Sequence, residues 1–169
     1  MIHNRGRELS IYAKLVASGE PARKALVCPF LVWTSGGADS SSDRVLFTQV
    51  GPGAGGLTGD GRAYEVKRST NQPSSGFLKG ITVGRSDVND IAVVDHSISR
   101  FHAYFRQESA GWQLVDAGSK NGTWVGATKL RSQESKLVTD GQMVTFGHVK
   151  MLFLLPQAFI TFVSYMKRG

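Results

Sequence analysis

The chain has 169 residues, 41% of them hydrophobic and 20% charged, which is enough to bury one core and too few for two full-sized domains. Twenty lysines and arginines against 13 aspartates and glutamates give a net charge of +7, which favours an anionic partner such as nucleic acid, an acidic membrane or a phosphorylated protein. The single cysteine, Cys28, excludes an internal disulfide framework and a cysteine-rich zinc site, and it fits a reducing compartment.

The N-terminal part of the chain predicts a helix ahead of the main domain. Residues 7–18 place apolar side chains at helical spacing, and Gly19 and Pro21 follow where such a helix should end. We therefore assign residues 1–25 to an N-terminal helical extension.

The next segment combines a strand with a long connection. Residues 26–33 form an apolar run that predicts a strand begun or interrupted at Pro29. Residues 34–62 are rich in glycine and serine, and only 45–50 among them resemble a strand. This composition predicts a Gly/Ser-rich insertion or long loop.

From residue 63 onward, short apolar runs alternate with turn residues, a pattern typical of an antiparallel β-sandwich or barrel. The predicted strands are 63–68, 80–84, 91–94, 102–107, 112–116, 123–125, 143–146 and 149–154. Beyond Pro156, residues 156–169 predict a C-terminal helix that lies on the sandwich. The predicted fold class is all-β, with the sandwich over residues 26–155.

Neither a signal peptide nor a membrane span is expected. The first ten residues carry charge, but no apolar stretch follows them. Residues 151–166 are apolar, but Pro156 and Gln157 interrupt them, and they fall short of the roughly 20 residues that a spanning helix needs. The cytoplasm is therefore the expected location.

Motifs for cofactor and enzyme chemistry are weak or missing. Gly51, Gly53 and Gly56 match G-x-G-x-x-G, but no helix pattern follows to meet a pyrophosphate, so we expect no nucleotide cofactor. The four histidines lack a metal-binding spacing, and there is no G-x-S-x-G elbow. We expect neither a metal site nor catalytic residues.

Three turn-like segments between apolar strands concentrate hydrogen-bond donors. They carry Arg85, Ser97, Ser99, Arg100, Ser119, Lys120 and Asn121. Loops held by a rigid sheet often carry binding groups, and guanidinium, ammonium, hydroxyl and amide groups together suit a tetrahedral oxyanion. Charge alone favours the simpler interpretation that these are solvated turn residues.

The order and spacing of these groups resemble the forkhead-associated (FHA) domain, a phosphothreonine-peptide-binding β-sandwich. The matching positions are Gly84, Arg85, Asn89, Asp90, Ile91, Asp95, Ser99, Arg100, His102, Ala103, Asp116, Gly118, Ser119, Asn121, Gly122, Thr123, Asp140, Gly141, Phe146 and Gly147. Clear resemblance covers residues 80–154, and it implies an FHA-type antiparallel sandwich of about eleven strands with a short helix at each end.

The resemblance also implies a role for each site residue. Arg85 and Ser99 would donate to the phosphate, and Asn121 would hold the peptide backbone beside the phosphothreonine, helped by Lys120. Arg100 would add backbone or side-chain contacts and positive charge.

Three further residues are implied to support the site. Gly84 and Gly122 would allow tight turns, and His102 would brace the loop that carries Ser99. Two positions depart from the family pattern. Gly126 stands where the family has a second asparagine, and Ser97 replaces a cation, so strong selection for an acidic residue downstream of the phosphothreonine is not indicated.

The resemblance predicts a non-enzymatic adaptor whose partner is a phosphothreonine-containing protein, either the substrate of a Ser/Thr kinase or the kinase itself. One alternative is a phosphate-independent scaffold or secretion-system component that uses the same fold. A nucleic-acid binder is suggested only by the charge of +7, and no motif for it is present, so we expect no nucleic-acid partner.

Overall fold

The computed structural model describes residues 5–33, 61–69 and 80–166, which form twelve strands and three helices. The strands are β1 Arg7–Glu8, β2 Phe30–Trp33, β3 Arg62–Glu65, β4 Ile81–Gly84, β5 Ile91–Ala92, β6 Ala103–Glu108, β7 Gly111–Asp116, β8 Thr123–Val125, β9 Thr128–Lys129, β10 Ser135–Val138, β11 Gln142–Phe146 and β12 Val149–Leu154. The helices are α1 Leu9–Ala17, α2 Glu20–Lys24 and α3 Pro156–Tyr165.

Two sheets face each other, which confirms the predicted all-β sandwich. One sheet has seven strands in the order β1-β3-β2-β12-β11-β8-β9, and the other has five in the order β10-β7-β6-β4-β5. All described strand pairs are antiparallel except β4 with β5, which run parallel over Val83–Gly84. This short parallel pair is a correction to the purely antiparallel expectation.

The main core lies between the sheets, and the period-two alternation of the strands builds it. In β12, Val149, Met151 and Phe153 point into this core, while Lys150 is exposed. The Phe153 ring stacks against Phe105 of the opposite sheet with ring centroids 5.8 Å apart. Burial of each such aromatic side chain contributes about 1.5–3 kcal/mol.

A second core lies on the outer face of the seven-stranded sheet, where α1 and α3 pack. Phe30 of β2 stacks on Phe159 of α3 with centroids 3.8 Å apart, and Tyr12 of α1 meets both rings edge-on. Strand β2 is consequently buried on both faces, with Leu31 in the main core. That double burial explains why its sequence is a continuous apolar run instead of an alternating one.

The prediction of one helix over residues 7–18, ended by Gly19 and Pro21, needs two corrections. The structure begins the helix at Leu9, after the two-residue strand β1. Pro21 does not stop a helix but lies in the first turn of α2, where its missing N–H costs nothing, while Gly19 with φ of +116° separates the two helices.

Strand boundaries differ from expectation mainly around prolines and polar runs. The apolar run over 26–33 becomes a strand only at Phe30, after Pro29. Strands β9 and β10 were not predicted, because both are short and largely exposed, so no apolar alternation marks them.

Part of the predicted insertion belongs to the sandwich. Gly61 is buried and its carbonyl accepts a hydrogen bond from Leu9 N, and Arg62 begins β3. The remaining positions, 34–60, which include the strand-like 45–50 and the three glycines of the G-x-G-x-x-G match, lie outside the described residues. Within the described ranges, none of the helices has the length and apolar character needed to cross a membrane.

Candidate functional site

Three loops meet at one end of the sandwich and bring the predicted site residues together. They follow β4, β5 and β7, over residues 85–90, 93–102 and 117–122. The backbone N–H of Arg85 donates to the Ser99 carbonyl at 2.9 Å, and Arg85 Nε donates to the Ile98 carbonyl at 3.3 Å. The loop after β4 is thus joined to the loop that carries Ser99.

The third loop is tied to the same segment by two further hydrogen bonds. The backbone N–H of Lys120 donates to Ser99 Oγ at 3.0 Å, and Asn121 Nδ2 donates to the Ser97 carbonyl at 2.8 Å. Arg85, Ser99, Lys120 and Asn121 therefore belong to one connected cluster.

The His102 ring joins two of these loops through hydrogen bonds to their backbone. It is fully buried, and its Nδ1 accepts a hydrogen bond from Ser99 N at 3.0 Å. Because Nδ1 is an acceptor, the proton lies on Nε2, which donates to the Gly122 carbonyl at 2.9 Å. Burial lowers the pKa of His102, although the Gly122 hydrogen bond and the charge of Asp116 act in the opposite direction.

The two glycines flanking the site are required for different reasons. Gly122 has φ of +96°, a conformation that side chains rarely adopt, which agrees with the turn role expected for it. Gly84 has no positive φ, and a β-carbon there would overlap the backbone carbonyl of Arg100. The tight-turn interpretation of Gly84 is corrected to a close approach between the end of β4 and the Ser99 loop.

Asp116 at the end of β7 organises the 117–122 loop. One carboxylate oxygen accepts from the backbone N–H groups of Gly118 and Ser119, and the other from the hydroxyls of Ser119 and Thr123 at 2.5 and 2.6 Å. Burial raises the pKa of Asp116, but these hydrogen bonds outweigh it, and the net pKa lies below the ordinary value. Asp116 is thus held as a buried anion that shapes the loop.

The cluster leaves several donors directed at solvent. Arg85 is exposed and uses only its Nε internally, and the Ser99 hydroxyl accepts from Lys120 N, which leaves its own hydrogen free to donate. Lys120 and Arg100 are also exposed. Since Asp116 is already saturated, this group of donors suits a multiply charged oxyanion such as a phosphate.

Comparison with known proteins places this arrangement in a family. The FHA domain matches residues 81–147. The oxoglutarate dehydrogenase inhibitor of Corynebacterium diphtheriae is 30% identical over 120 residues, which cover 64% of this chain and 82% of that protein. The chain belongs to the FHA family.

Two further matches describe the extent of this FHA similarity. The glycogen accumulation regulator GarA of Mycolicibacterium smegmatis is 36% identical over 104 residues, covering 60% of this chain and 64% of that protein. A solved FHA domain from a study of phosphothreonine-dependent FHA interactions is 17% identical, with a TM-score of 0.48, and covers 75% of this chain and 96% of that chain.

The supporting framework of this FHA domain includes residues to which the sequence interpretation gave no role. Asn89 Nδ2 donates to the carbonyls of Ser86 and Arg100, each at 2.7 Å, and so joins the loop after β4 to the loop that carries Ser99. Asp116 is the second such residue. Both occur in the motif match, but only their buried hydrogen bonds show what they hold in place.

No group of three or more potential metal ligands occurs within the described residues. His96 and His148 lie at the surface, and His3 falls outside the described ranges. Ser97, which stands in place of the family's cation, is buried and donates to Asp95 Oδ1 while accepting from His148 N. Position 97 is therefore an internal brace in this FHA domain.

We predict that the folded domain loses stability as the pH falls below about 6.5, the ordinary pKa of histidine. The pKa of His102 is lowered in the folded domain, so the unfolded chain takes up a proton first as the pH falls, and the unfolded state becomes favoured. Above about pH 6.5 the contribution of His102 to the free energy of unfolding is fully present. Urea unfolding across pH, compared between wild type and His102→Gln, measures this pH dependence.

The same substitution should lower the free energy of unfolding by about 1–3 kcal/mol at neutral pH, because the Ser99 and Gly122 backbone groups lose their shared partner.

The exposed His148 supplies the control. His148→Gln should retain the loss of stability that comes from His102, because this substitution leaves both His102 hydrogen bonds in place. If His102→Gln kept the same pH dependence as wild type, a neutral, buried His102 would not be its source.

Proposed function

We propose that the chain is a non-catalytic reader of phosphothreonine that binds a phosphorylated partner through the loops after β4, β5 and β7. The observation that carries this proposal is the hydrogen-bonded joining of Arg85, Ser99, Lys120 and Asn121 into one cluster whose remaining donors face solvent. A cluster assembled before the ligand arrives loses little ordering entropy on binding.

Each site residue then has a distinct task. The terminal nitrogens of Arg85 donate to phosphate oxygens as a fork, and the Ser99 hydroxyl adds a third donor. Lys120 supplies a compact positive charge at the same loop junction. Asn121 has one amide hydrogen committed to Ser97, which leaves the other hydrogen and its carbonyl oxygen for the peptide backbone.

Arg100 contributes differently from the other cations. Its backbone carbonyl accepts from Ser86 N and Asn89 Nδ2, so its backbone is used within the domain while its side chain extends into solvent. It therefore adds positive charge near the phosphate. Gly84, His102 and Gly122 support these residues without touching the ligand.

The cellular role that fits this site is that of an adaptor downstream of a Ser/Thr kinase. The two relatives described above are named as a regulator of glycogen accumulation and as an inhibitor of oxoglutarate dehydrogenase. Those names support a regulatory partner protein. We propose in addition that this partner is a kinase substrate or the kinase itself, and that the location is cytoplasmic. We propose residues 26–155 as the binding unit, flanked by α1 and α2 on the N-terminal side and by α3 on the C-terminal side.

Titration with three otherwise identical peptides carrying phosphothreonine, phosphoserine or unmodified threonine tests the proposal. We predict that phosphothreonine binds about fourfold tighter than phosphoserine, because burying the extra methyl contributes about 0.8 kcal/mol and the β-branch restricts the side chain before binding. The unmodified peptide should not bind measurably.

Equal binding of the phosphorylated and unmodified peptides would replace this function with the phosphate-independent scaffold. Equal affinity for phosphoserine and phosphothreonine would refute the methyl selection and leave only phosphate recognition.

A further inference from the structure

A groove continues from the phosphate site along one side of the molecule. A cavity of about 390 Å³ is lined by Arg85, Val94, Asp95 and, from the N-terminal segment, Arg5. A second cavity of about 310 Å³ shares Arg5, Val94 and Asp95 with the first and adds Arg62. We call these two adjoining cavities, bounded by Arg85, Val94, Arg5 and Arg62, the arginine groove.

The arginine groove lies where the sandwich is open between the two sheets. Strand β5 is the edge of the five-stranded sheet, and β1 and β3 form the edge of the seven-stranded sheet. Arg5 comes just before β1, and Arg62 begins β3 and donates from Nη1 to the Arg5 carbonyl at 3.3 Å. Both arginines lie outside residues 81–147, which match the FHA domain.

The charges in the arginine groove favour an anion at its far end. Within the described part of the chain, Arg5, Arg62 and Arg85 have no carboxylate within ion-pair distance. Asp95 lines both cavities, so the far end carries two guanidinium groups against one carboxylate. The Oδ1 atom of that carboxylate accepts from the backbone N–H and hydroxyl of Ser97 at 2.8 and 2.6 Å. Asp87 lies only in the first cavity, beside Arg85.

The floor of the second cavity is apolar. Trp33, Tyr64 and Val149 line it together with the two arginines. Ion pairs at such a partly desolvated surface are screened less than those in open water. The far end of the arginine groove thus combines two guanidinium groups with an apolar surface.

We propose that the arginine groove binds a second anionic side chain of the same peptide that places its phosphothreonine at Arg85. The chemistry it selects is a carboxylate or a second phosphate held by Arg5 and Arg62. This inference rests on the proposed function, and it assigns the selection to the arginine groove instead of to position 97, whose serine is buried and internally bonded.

A peptide scan tests the proposal. A phosphothreonine peptide with neutral flanking residues is the reference, and glutamate or phosphoserine is placed at one flanking position at a time on either side. At the positions that reach the arginine groove we expect glutamate to tighten binding about two- to fivefold and phosphoserine to tighten it more, with the gain reduced at high salt. Glutamate and phosphoserine then distinguish the two sources of the anion.

Two arginine variants test whether the gain in peptide affinity comes from the arginine groove. Arg5→Ala and Arg62→Ala should each reduce the gain while leaving affinity for the neutral peptide within about twofold. Lys14→Ala removes one exposed positive charge from α1, in the helical layer, and should retain the whole gain.

The outcomes separate the two hypotheses. If the neutral phosphothreonine peptide binds but no anionic position improves it, or if the improvement survives in both arginine variants, the arginine groove is not a second anion site. If no phosphothreonine peptide binds at all, the proposed function fails, and the inference fails with it.

Discussion

Arg85→Ala should weaken binding of a phosphothreonine peptide by about 2–4 kcal/mol, or roughly 30- to 700-fold, while the free energy of unfolding changes little. The terminal nitrogens of Arg85 are exposed and have no carboxylate partner among the described residues, so their strong hydrogen bonds form only with ligand. Isothermal titration of one peptide, paired with a thermal melt, measures both quantities.

Two variants control for charge alone. Arg85→Lys keeps the charge but loses the planar fork, and it should recover only part of the affinity. Lys14→Ala, remote from the three loops on the helical layer, should bind like wild type. Near wild-type affinity in Arg85→Ala would show that phosphate is not read at this position, and the phosphate-independent scaffold would then be the better interpretation.

Asp116→Ala should lower the free energy of unfolding by about 3 kcal/mol or more and weaken phosphopeptide binding at the same time. The carboxylate accepts four hydrogen bonds within the 117–123 segment, and its removal leaves buried donors, including the Thr123 hydroxyl, without an acceptor. The same segment positions Lys120 and Asn121. Urea unfolding and peptide titration of this variant supply the measurement.

Conservative changes separate the parts of this effect. Asp116→Asn retains one acceptor oxygen and should be less destabilised, and Thr123→Val removes one hydrogen bond of the four and should cost about 1 kcal/mol. A melt of Asp116→Ala indistinguishable from wild type would mean that these hydrogen bonds do not stabilise the loop.

Much of the sandwich could be predicted because its strands carry their burial pattern in local sequence. Strands β8 and β12 were predicted with the bounds observed. The buried positions of β12 in the main core are all apolar, and β8 contributes Val125 to that core. Strands β9 and β10 have mostly exposed side chains and are ordered by pairing with β8 and β7, which no local pattern encodes.

The helical layer shows a similar division. The helical spacing of α1 and α3 was visible in the sequence, but their mutual packing was not. The second core forms only because β2 presents Phe30 outward between them. An apolar run such as that of β2 does not reveal which of its side chains face which layer.

For the candidate site, the sequence predicted the residue types and the loops that carry them, because motif spacing is a local property of the chain. Only the tertiary structure decided how those loops are held together. Contacts such as Asn121 to Ser97 and His102 to Gly122 join residues 24 and 20 positions apart, and they exist because the two sheets bring separate loops to one end. The arginine groove depends on packing in the same way, since the pairing of β1 with β3 places Arg5 and Arg62 together at the open side of the sandwich.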